Sequence, residues 1–95
     1  MDKIILNGEN MTTRATAHAE IKREMGFPEY YGGNLDALWD MISATSAEVE
    51  LHNPVPMLNG LGKYGCKLLE TFFEAAEDNE NFSFRLESDC DVELF

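Results

Sequence analysis

The sequence predicts a small α/β domain in which about four helices pack on a three-stranded parallel sheet, in the order βααβααβ. Three short segments have the continuous or alternating apolar pattern of strands, and segments with helical periodicity separate them. Because helical crossovers join successive strands, we expect the strands to run parallel. The 95 residues, 44% of them hydrophobic, suffice for one core but not for a second domain.

The first half of the chain predicts one strand and two helices. Residues 3–7 form an apolar run that ends at an Asn-Gly turn. The first helix is expected to begin at Thr12 or Thr13, to run to about Met25 and to end at Gly26. Its inward face is predicted to hold Ala17, Ile21 and Met25, and its outward faces Glu20, Lys22, Arg23 and Glu24. The second helix follows Asn34, a good N-cap, and carries its apolar residues at Leu35, Leu38 and Ile42.

The second half predicts two more strands, over residues 47–51 and 82–86. Between them, Pro54 begins a short helical or looped stretch, and residues 64–77 have the strongest helical pattern. The inward residues of that last helix are predicted to be Leu68, Leu69, Phe72, Phe73 and Ala76. We expect residues 1–87 to form the domain and residues 88–95 an acidic C-terminal tail.

The charge of the chain excludes several classes of partner. Seven basic residues against eighteen acidic ones give a net charge of −11, with the excess in the middle and C-terminal parts. A chain this acidic is a poor ligand for nucleic acid and for anionic membranes, since both require cationic groups. A cationic protein partner fits the charge.

Targeting signals and cysteines give little further information. The longest apolar run, residues 4–6, is far too short to span a membrane, and the start of the chain does not resemble a signal peptide. Two cysteines do not make a disulfide framework, so we expect a cytoplasmic protein. Cys66 is predicted to be a small core residue and Cys90 an unused thiol of the tail.

The residues with the most distinctive chemistry lie in positions 28–40, Pro-Glu-Tyr-Tyr-Gly-Gly-Asn-Leu-Asp-Ala-Leu-Trp-Asp. Asp36 and Asp40 are four residues apart and therefore share one helix face. Like charges at this spacing destabilise a helix slightly, so the pair suggests a role in binding. Carboxylates beside aromatic side chains suit a cationic guest such as an arginine.

Other interpretations of this segment are weaker. A metal site needs further ligands, and neither His18 nor His52 lies in a metal-binding pattern with the aspartates. Gly32-Gly33 could hold a phosphate, but no lysine follows and Asp36 would repel the anion. A general acid–base pair would need a substrate cleft and a nucleophile or cofactor site, so we expect no enzyme, no metal and no cofactor. Purely structural roles stay open: Trp39 in core packing, and Tyr30 and Tyr31 as braces of the loop. His18 is predicted to be partly buried with its hydrogen bonds satisfied.

Residues 28–40 closely resemble the signature of the barstar family, intracellular inhibitors of barnase-type ribonucleases. The resemblance extends from Asn7-Gly8-Glu9 through the first helix, including His18, and returns at Phe72-Phe73-Glu74-Ala75. It implies a three-stranded parallel sheet with helices, and a protein that is monomeric when free and forms a one-to-one complex with a basic ribonuclease. In the family, acidic side chains of the second helix stand in for the phosphates of RNA in the enzyme's active site.

Carried over residue by residue, the resemblance implies roles for eight positions. Asp40 would enter the phosphate site and Asp36 would meet an arginine at its edge. The other implied contacts are Tyr30, Gly32, Asn34, Trp39, Ser43 and, on the last helix, Glu74. The sequence departs from the family pattern at Gly33, Met41, Ser43 and Ala44-Thr45, which leaves a second interpretation open: a barstar-fold interaction module for a different cationic protein or toxin.

Overall fold

The computed structural model describes residues 2–87, which form three strands and four helices in the predicted order. The elements are β1 (Asp2–Asn7), α1 (Arg14–Met25), α2 (Leu35–Ile42), β2 (Ala47–His52), α3 (Pro54–Leu61), α4 (Lys63–Asp78) and β3 (Phe82–Glu87). One turn of 3-10 helix that the sequence did not predict, Gly8–Asn10, follows β1. The predicted acidic tail and Cys90 lie outside the described residues.

The sheet has the strand order β1-β2-β3, and both pairs of neighbours are parallel, which confirms the predicted fold class. The register places Ile4 beside Val49 and Val49 beside Phe84. On the opposite face Ile5 is 45% exposed, and Glu48 and Arg85 are also exposed. The helices therefore cover one face of the sheet and leave the other open.

Local capping fixes where the helices begin and end. The Thr13 hydroxyl accepts a hydrogen bond from the Thr16 N–H (3.1 Å), while the Thr16 hydroxyl oxygen accepts one from the Thr13 N–H (3.1 Å). Gly26 ends α1 in the left-handed region at φ 68°, where a glycine avoids the strain of a side chain. Pro54 occupies the first turn of α3, where its missing N–H costs no hydrogen bond.

The core lies between the sheet and the helices, and Phe72 of α4 is at its centre. Phe72 is fully buried, and its ring stacks on those of Phe84 (4.5 Å between centroids) and Phe82 (6.3 Å). The other fully buried large side chains are Leu6, Met11, Ile21, Leu38, Ile42, Leu51, Met57, Leu68 and Val49. This core holds α4 on the sheet and α2 against α4.

Two glutamates are buried, contrary to the pattern predicted for their elements. Glu20, expected on an outward face of α1, is only 4% exposed; its carboxylate accepts the Asn7 N–H (3.0 Å) and pairs with Arg23. Glu50 on β2 is 3% exposed where simple alternation would leave it in water. Both carboxylates have partners inside the molecule, which offsets the cost of removing a charge from water.

The environment of Glu50 is a small charge network on the open face of the sheet. Its carboxylate lies 3.1 Å from the Lys3 ammonium, 3.1 Å from the Arg85 guanidinium and 3.0 Å from His52 Nε2. The hydrogen bond with His52, and then the contact with the Lys3 ammonium, lower the pKa of Glu50 below its ordinary value. The three strands are thus joined across this face by one carboxylate.

Two predictions for α4 were wrong. Cys66, expected in the core, is exposed, and Phe73, expected to face inward, is 43% exposed. The buried residues of α4 are Gly65, Leu68, Phe72 and Ala75. Cys66 precedes Leu68 by two positions, about 200° around the helix, and therefore lies on the opposite side. Phe73 lies about 100° from Phe72 and covers only the edge of the core.

The described residues hold neither a membrane-crossing helix nor a metal-binding cluster. No helix in residues 2–87 combines the length and the apolar character that crossing a bilayer requires. Within the same residues, no three His, Cys, Asp or Glu side chains come together in a way that could bind a metal ion.

Candidate functional site

The loop before α2 is shaped by its own backbone. The Tyr31 N–H donates to the Pro28 carbonyl (3.0 Å) in a tight turn, and Gly33 adopts φ 69°, a conformation that favours glycine. Asn34 then caps α2 as predicted, because its side-chain oxygen accepts the Ala37 N–H at 2.8 Å. These local features fix the direction in which α2 leaves the loop.

His18 ties this loop to two helices. This histidine of α1 is 5% exposed, and its Nδ1 lies 2.6 Å from the Tyr31 hydroxyl while its Nε2 lies 2.7 Å from the Tyr64 hydroxyl of α4. The Tyr31 ring also packs against Phe27, with 5.0 Å between centroids. The prediction that His18 has its hydrogen bonds satisfied is confirmed, and its burial is more complete than the partial burial predicted. Of the two tyrosines considered as braces, it is Tyr31 that braces the loop.

Burial determines the protonation states of His18 and of the two tyrosines that it bridges, Tyr31 and Tyr64. Burial lowers the pKa of His18, because it disfavours the imidazolium. Burial, and to a smaller extent the nearby Tyr64, raises the pKa of Tyr31 well above its usual range, and burial raises that of Tyr64 as well. A neutral imidazole offers one donor and one acceptor, so one tyrosine donates to His18 and the other accepts from it.

The outer face of α2 carries the two predicted aspartates. Asp36 and Asp40 are both exposed and lie one turn apart. Asp36 is in the first turn, where the helix dipole stabilises a negative charge, but Asp40 is in the last turn, where it does not. Neither carboxylate forms an ion pair with any other side chain of residues 3–87.

A small open cavity lies between the loop and α2. It has a volume of ≈ 170 Å³ and is lined by Tyr30, Tyr31, Gly32, Ala37, Asp40 and Met41. Tyr30 is 83% exposed, so its ring is available at the edge of the cavity. One carboxylate beside aromatic walls can accept a single cationic or hydrogen-bonding side chain. Three predicted site residues, Tyr30, Gly32 and Asp40, are brought together here.

The remaining predicted residues have different surroundings. Trp39 is half-buried and packs against the core, in agreement with its alternative, structural role. The Ser43 hydroxyl donates to the Trp39 carbonyl (2.6 Å), so its proton is already used within the helix. Glu74 is exposed on α4, a helix that packs against α2, and it lines a separate groove on that helix.

Residue spacing alone did not identify every part of this site. Ala37 and Met41 line the cavity, and their spacing of four residues on α2, adjacent to that of Asp36 and Asp40, is a signal that could have identified them. Tyr64 lies 46 positions from His18, and no local pattern indicates that they are partners.

None of the ion pairs of residues 3–87 involves the aspartates of α2. In residues 3–87 they join Lys3, Arg85 and His52 to Glu50, Arg85 to Glu87, Lys22 to Glu29, and Arg23 to Glu20 and Glu24. Arg14 lies over the Tyr64 ring, 4.2 Å from its centroid. Most of the protein's cations are thus engaged on the strands and α1, while no acid of α2 or α4 is paired within the described residues.

The fold and the site together define a small parallel α/β protein with an unneutralised acidic helix face beside an aromatic cavity. The sequence model of the family described as "Barstar (barnase inhibitor)" matches residues 1–89. The protein named "Putative ribonuclease inhibitor YrdF" of Bacillus subtilis (strain 168) is 36% identical over 84 residues, which cover 82% of this chain and 89% of that relative. The chain belongs to the barstar family, as the resemblance of residues 28–40 predicted.

Proposed function

We propose that this protein inhibits a basic, barnase-type ribonuclease by covering the enzyme's active site with the acidic face of α2. The observation that carries the proposal is the exposed, unpaired state of Asp36 and Asp40 beside the cavity lined by Tyr30 and Gly32. The family membership and the inhibitor-named relative support it. The protein would act as a binding partner, not as an enzyme, in a one-to-one complex in the cytoplasm.

In the proposed complex, carboxylates of this protein take the place of RNA phosphates in the enzyme's active site. A ribonuclease active site holds cations that bind RNA phosphates, and in the complex the Asp40 carboxylate would occupy that position. Asp36 would pair with a cation at the edge, and Glu74 on α4 would pair with another. The bridge between His18 and Tyr31 would keep the loop and its cavity in shape before the partner arrives, which reduces the entropy cost of binding.

The other predicted contacts supply shape more than charge. Tyr30 would pack its exposed ring on the enzyme, with Gly32 and Asn34 in the contacting loop. Trp39 and Ser43 are already engaged within the protein, so we propose that they contribute through their exposed edges only. A small rigid surface of this kind, with a central charge that becomes buried on binding, is typical of tight inhibitor interfaces.

The test is inhibition of RNA cleavage by purified barnase-type ribonucleases. We expect the wild-type protein to inhibit, and Asp40→Ala to weaken inhibition most, by about a hundredfold or more, because it leaves a cation of the enzyme buried without a partner. Asp36→Ala and Glu74→Ala are expected to have smaller effects. Glu48→Ala, on the open face of the sheet, removes the same charge and serves as the control.

Two results would contradict this proposal. Undiminished cleavage by several such enzymes would favour the alternative, a barstar-fold module that binds a different cationic protein. Inhibition that is equal in the wild type and in the three acidic variants would mean that the enzyme contacts another surface.

A further inference from the structure

Helix α4 carries an exposed groove outside the cavity of α2. It has a volume of ≈ 330 Å³ and is lined by Cys66, Leu69, Glu70, Phe73, Glu74 and Glu77, and we call it the α4 groove. Phe73 is 43% exposed, although one edge of its ring packs on Phe84 at 5.0 Å between centroids. An apolar floor of Leu69 and Phe73 therefore lies between glutamates.

The stability of the fold does not require three glutamates and an exposed phenylalanine in the α4 groove. Glu70 and Glu74 are four residues apart and Glu74 and Glu77 three apart, spacings at which like charges destabilise a helix. None of the three forms an ion pair with another side chain of residues 3–87. A phenylalanine with nearly half of its surface in water adds an unfavourable apolar exposure. Lysines and a polar residue in these positions would stabilise the free protein better.

We propose that the α4 groove docks an apolar side chain flanked by lysine or arginine on the same ribonuclease that the α2 face binds. The proposal rests on the function proposed above and extends it with a second contact. The three glutamates would pair with the flanking cations, and Phe73 and Leu69 would bury the apolar group between them. Glu74 belongs to both surfaces, since it is a predicted contact and also lines the groove.

The net charge of each candidate ligand indicates which one can bind in the α4 groove. A second copy of this chain has a net charge of −11 and would bring acid against acid. Residues 88–95 of the same chain contain Asp89, Asp91 and Glu93 and no lysine or arginine, so they have the wrong sign as well. A basic protein is the occupant that the three glutamates favour.

The α4 groove lies on a helix that packs against α2, so a partner that covers both helices would contact both surfaces. Packed helices lie about 8–10 Å apart, and α2 packs against α4. Along α4, Glu70 and Glu77 are within about 6 Å of Glu74, at 1.5 Å of rise per residue. A standard interface of about 800 Å² per partner has a radius of about 16 Å if it is circular. An interface of that size centred on Asp40 would reach α4.

The apolar part is tested with Phe73→Gln, measured by the kinetics of binding to purified barnase. The exposed 43% of a phenylalanine of about 200 Å² is roughly 85 Å², and losing its burial is expected to raise Kd about thirtyfold, mainly through faster dissociation. The control is Val55→Gln, which changes a 59% exposed residue of α3 outside both surfaces and is expected to leave Kd unchanged.

The charged part is tested with Glu70→Lys and Glu77→Lys, both at exposed positions that should fold normally. Each changes the net charge by two, as does the control Glu48→Lys on the open face of the sheet. The control measures the general loss of electrostatic attraction. If the groove meets cations directly, each α4 variant raises Kd at least about fivefold more than the control does.

The possible results distinguish the proposal for the α4 groove from the proposed function on which it depends. Wild-type binding with weaker binding by the α4 variants, beyond their controls, supports the groove. Wild-type binding that Phe73→Gln, Glu70→Lys and Glu77→Lys change no more than their controls overturns the groove and leaves the proposed function intact. Absence of wild-type binding to barnase-type enzymes overturns both, and it is recognised from the wild type alone.

Discussion

Asp40→Ala should change stability and binding in opposite directions. In the free protein, Asp40 is exposed in the last turn of α2, one turn after Asp36, and it has no ion-pair partner in residues 3–87. Its carboxylate therefore contributes nothing favourable that the substitution would remove. The same carboxylate is the central contact of the proposed complex.

The expected gain in the free energy of unfolding is the sum of three local effects. Alanine favours a helix interior over aspartate by about 0.5 kcal/mol. Removing the repulsion from Asp36 adds about 0.3 kcal/mol, and removing a negative charge from the C-terminal end of the helix dipole adds a similar amount. The sum is about 1 kcal/mol, which corresponds to a rise in Tm of roughly 4–8 °C for a domain of this size.

Urea and thermal unfolding measure the first half of this prediction, and ribonuclease inhibition measures the second. The matched control is Glu24→Ala on α1, where the carboxylate pairs with Arg23 at 3.2 Å. Glu24 also lies in the last turn of its helix, but Glu24→Ala breaks this ion pair, which offsets part of the gain. That variant should therefore gain less stability than Asp40→Ala and should inhibit like the wild type. If Asp40→Ala unfolds more easily than the wild type, Asp40 supports the fold and the reasoning is wrong. If it inhibits as well as the wild type, Asp40 is not the central contact.

Three further predictions concern steering, the buried histidine and the core. Raising the salt concentration from about 0.05 M to about 0.5 M should slow association with the ribonuclease and change dissociation less, in stopped-flow measurements. Lowering the pH from about 7.5 to about 5 should reduce the free energy of unfolding of the wild type, and His18→Gln should flatten that profile. Phe72→Ala should cost about 3–5 kcal/mol in urea unfolding, because it empties the centre of the core.

The sign of the pH effect follows from the lowered pKa of His18. The unfolded chain takes up a proton near pH 6.5, whereas folded His18 stays neutral to a lower pH. The stabilisation is therefore complete above about pH 6.5 and is lost as the pH falls through the folded pKa. Glu50 also has a lowered pKa, but its effect begins only near pH 4.5, below the range measured. An unchanged slope in His18→Gln would assign the pH dependence to other groups.

Contradictory results for the other two predictions are equally direct. An association rate that is independent of salt would mean that the charge of the protein does not guide the encounter. A loss of less than about 1 kcal/mol in Phe72→Ala would mean that the surrounding side chains refill the space of the ring.

The parts of the fold that the sequence predicts well are those with local causes. The caps at Thr13, Gly26 and Asn34 each depend on residues within one turn of the chain, and their side-chain chemistry is readable without tertiary structure. The spacing of Asp36 and Asp40 is local in the same sense. The fold order and the exposed acidic pair could therefore be predicted.

The features that could not be predicted depend on contacts between distant elements. Glu20 and Glu50 can be buried because groups from other elements pair with their carboxylates. Glu20 accepts the Asn7 N–H, and Glu50 pairs with Lys3 and Arg85. Adjacent phenylalanines at 72 and 73 leave the inward face of α4 ambiguous until the sheet is in place. A periodic pattern gives the inward direction only when a single face is apolar.

The placement of charge at the C-terminal ends of α2 and α4 does not favour the stability of the free helices. On α4 the lysines, Lys63 and Lys67, lie in the first turns, and the acids lie toward the C-terminal end, the last of them Glu77 and Asp78. This order opposes the helix dipole at both ends, as Asp40 does in the last turn of α2. The dipole favours Asp36 in the first turn of α2, but the acids at the C-terminal ends of both helices are difficult to attribute to stability. A cationic surface that covers the C-terminal acids of both helices would turn their cost into favourable contacts, and Glu74 and Glu77 of the α4 groove lie in that part of α4.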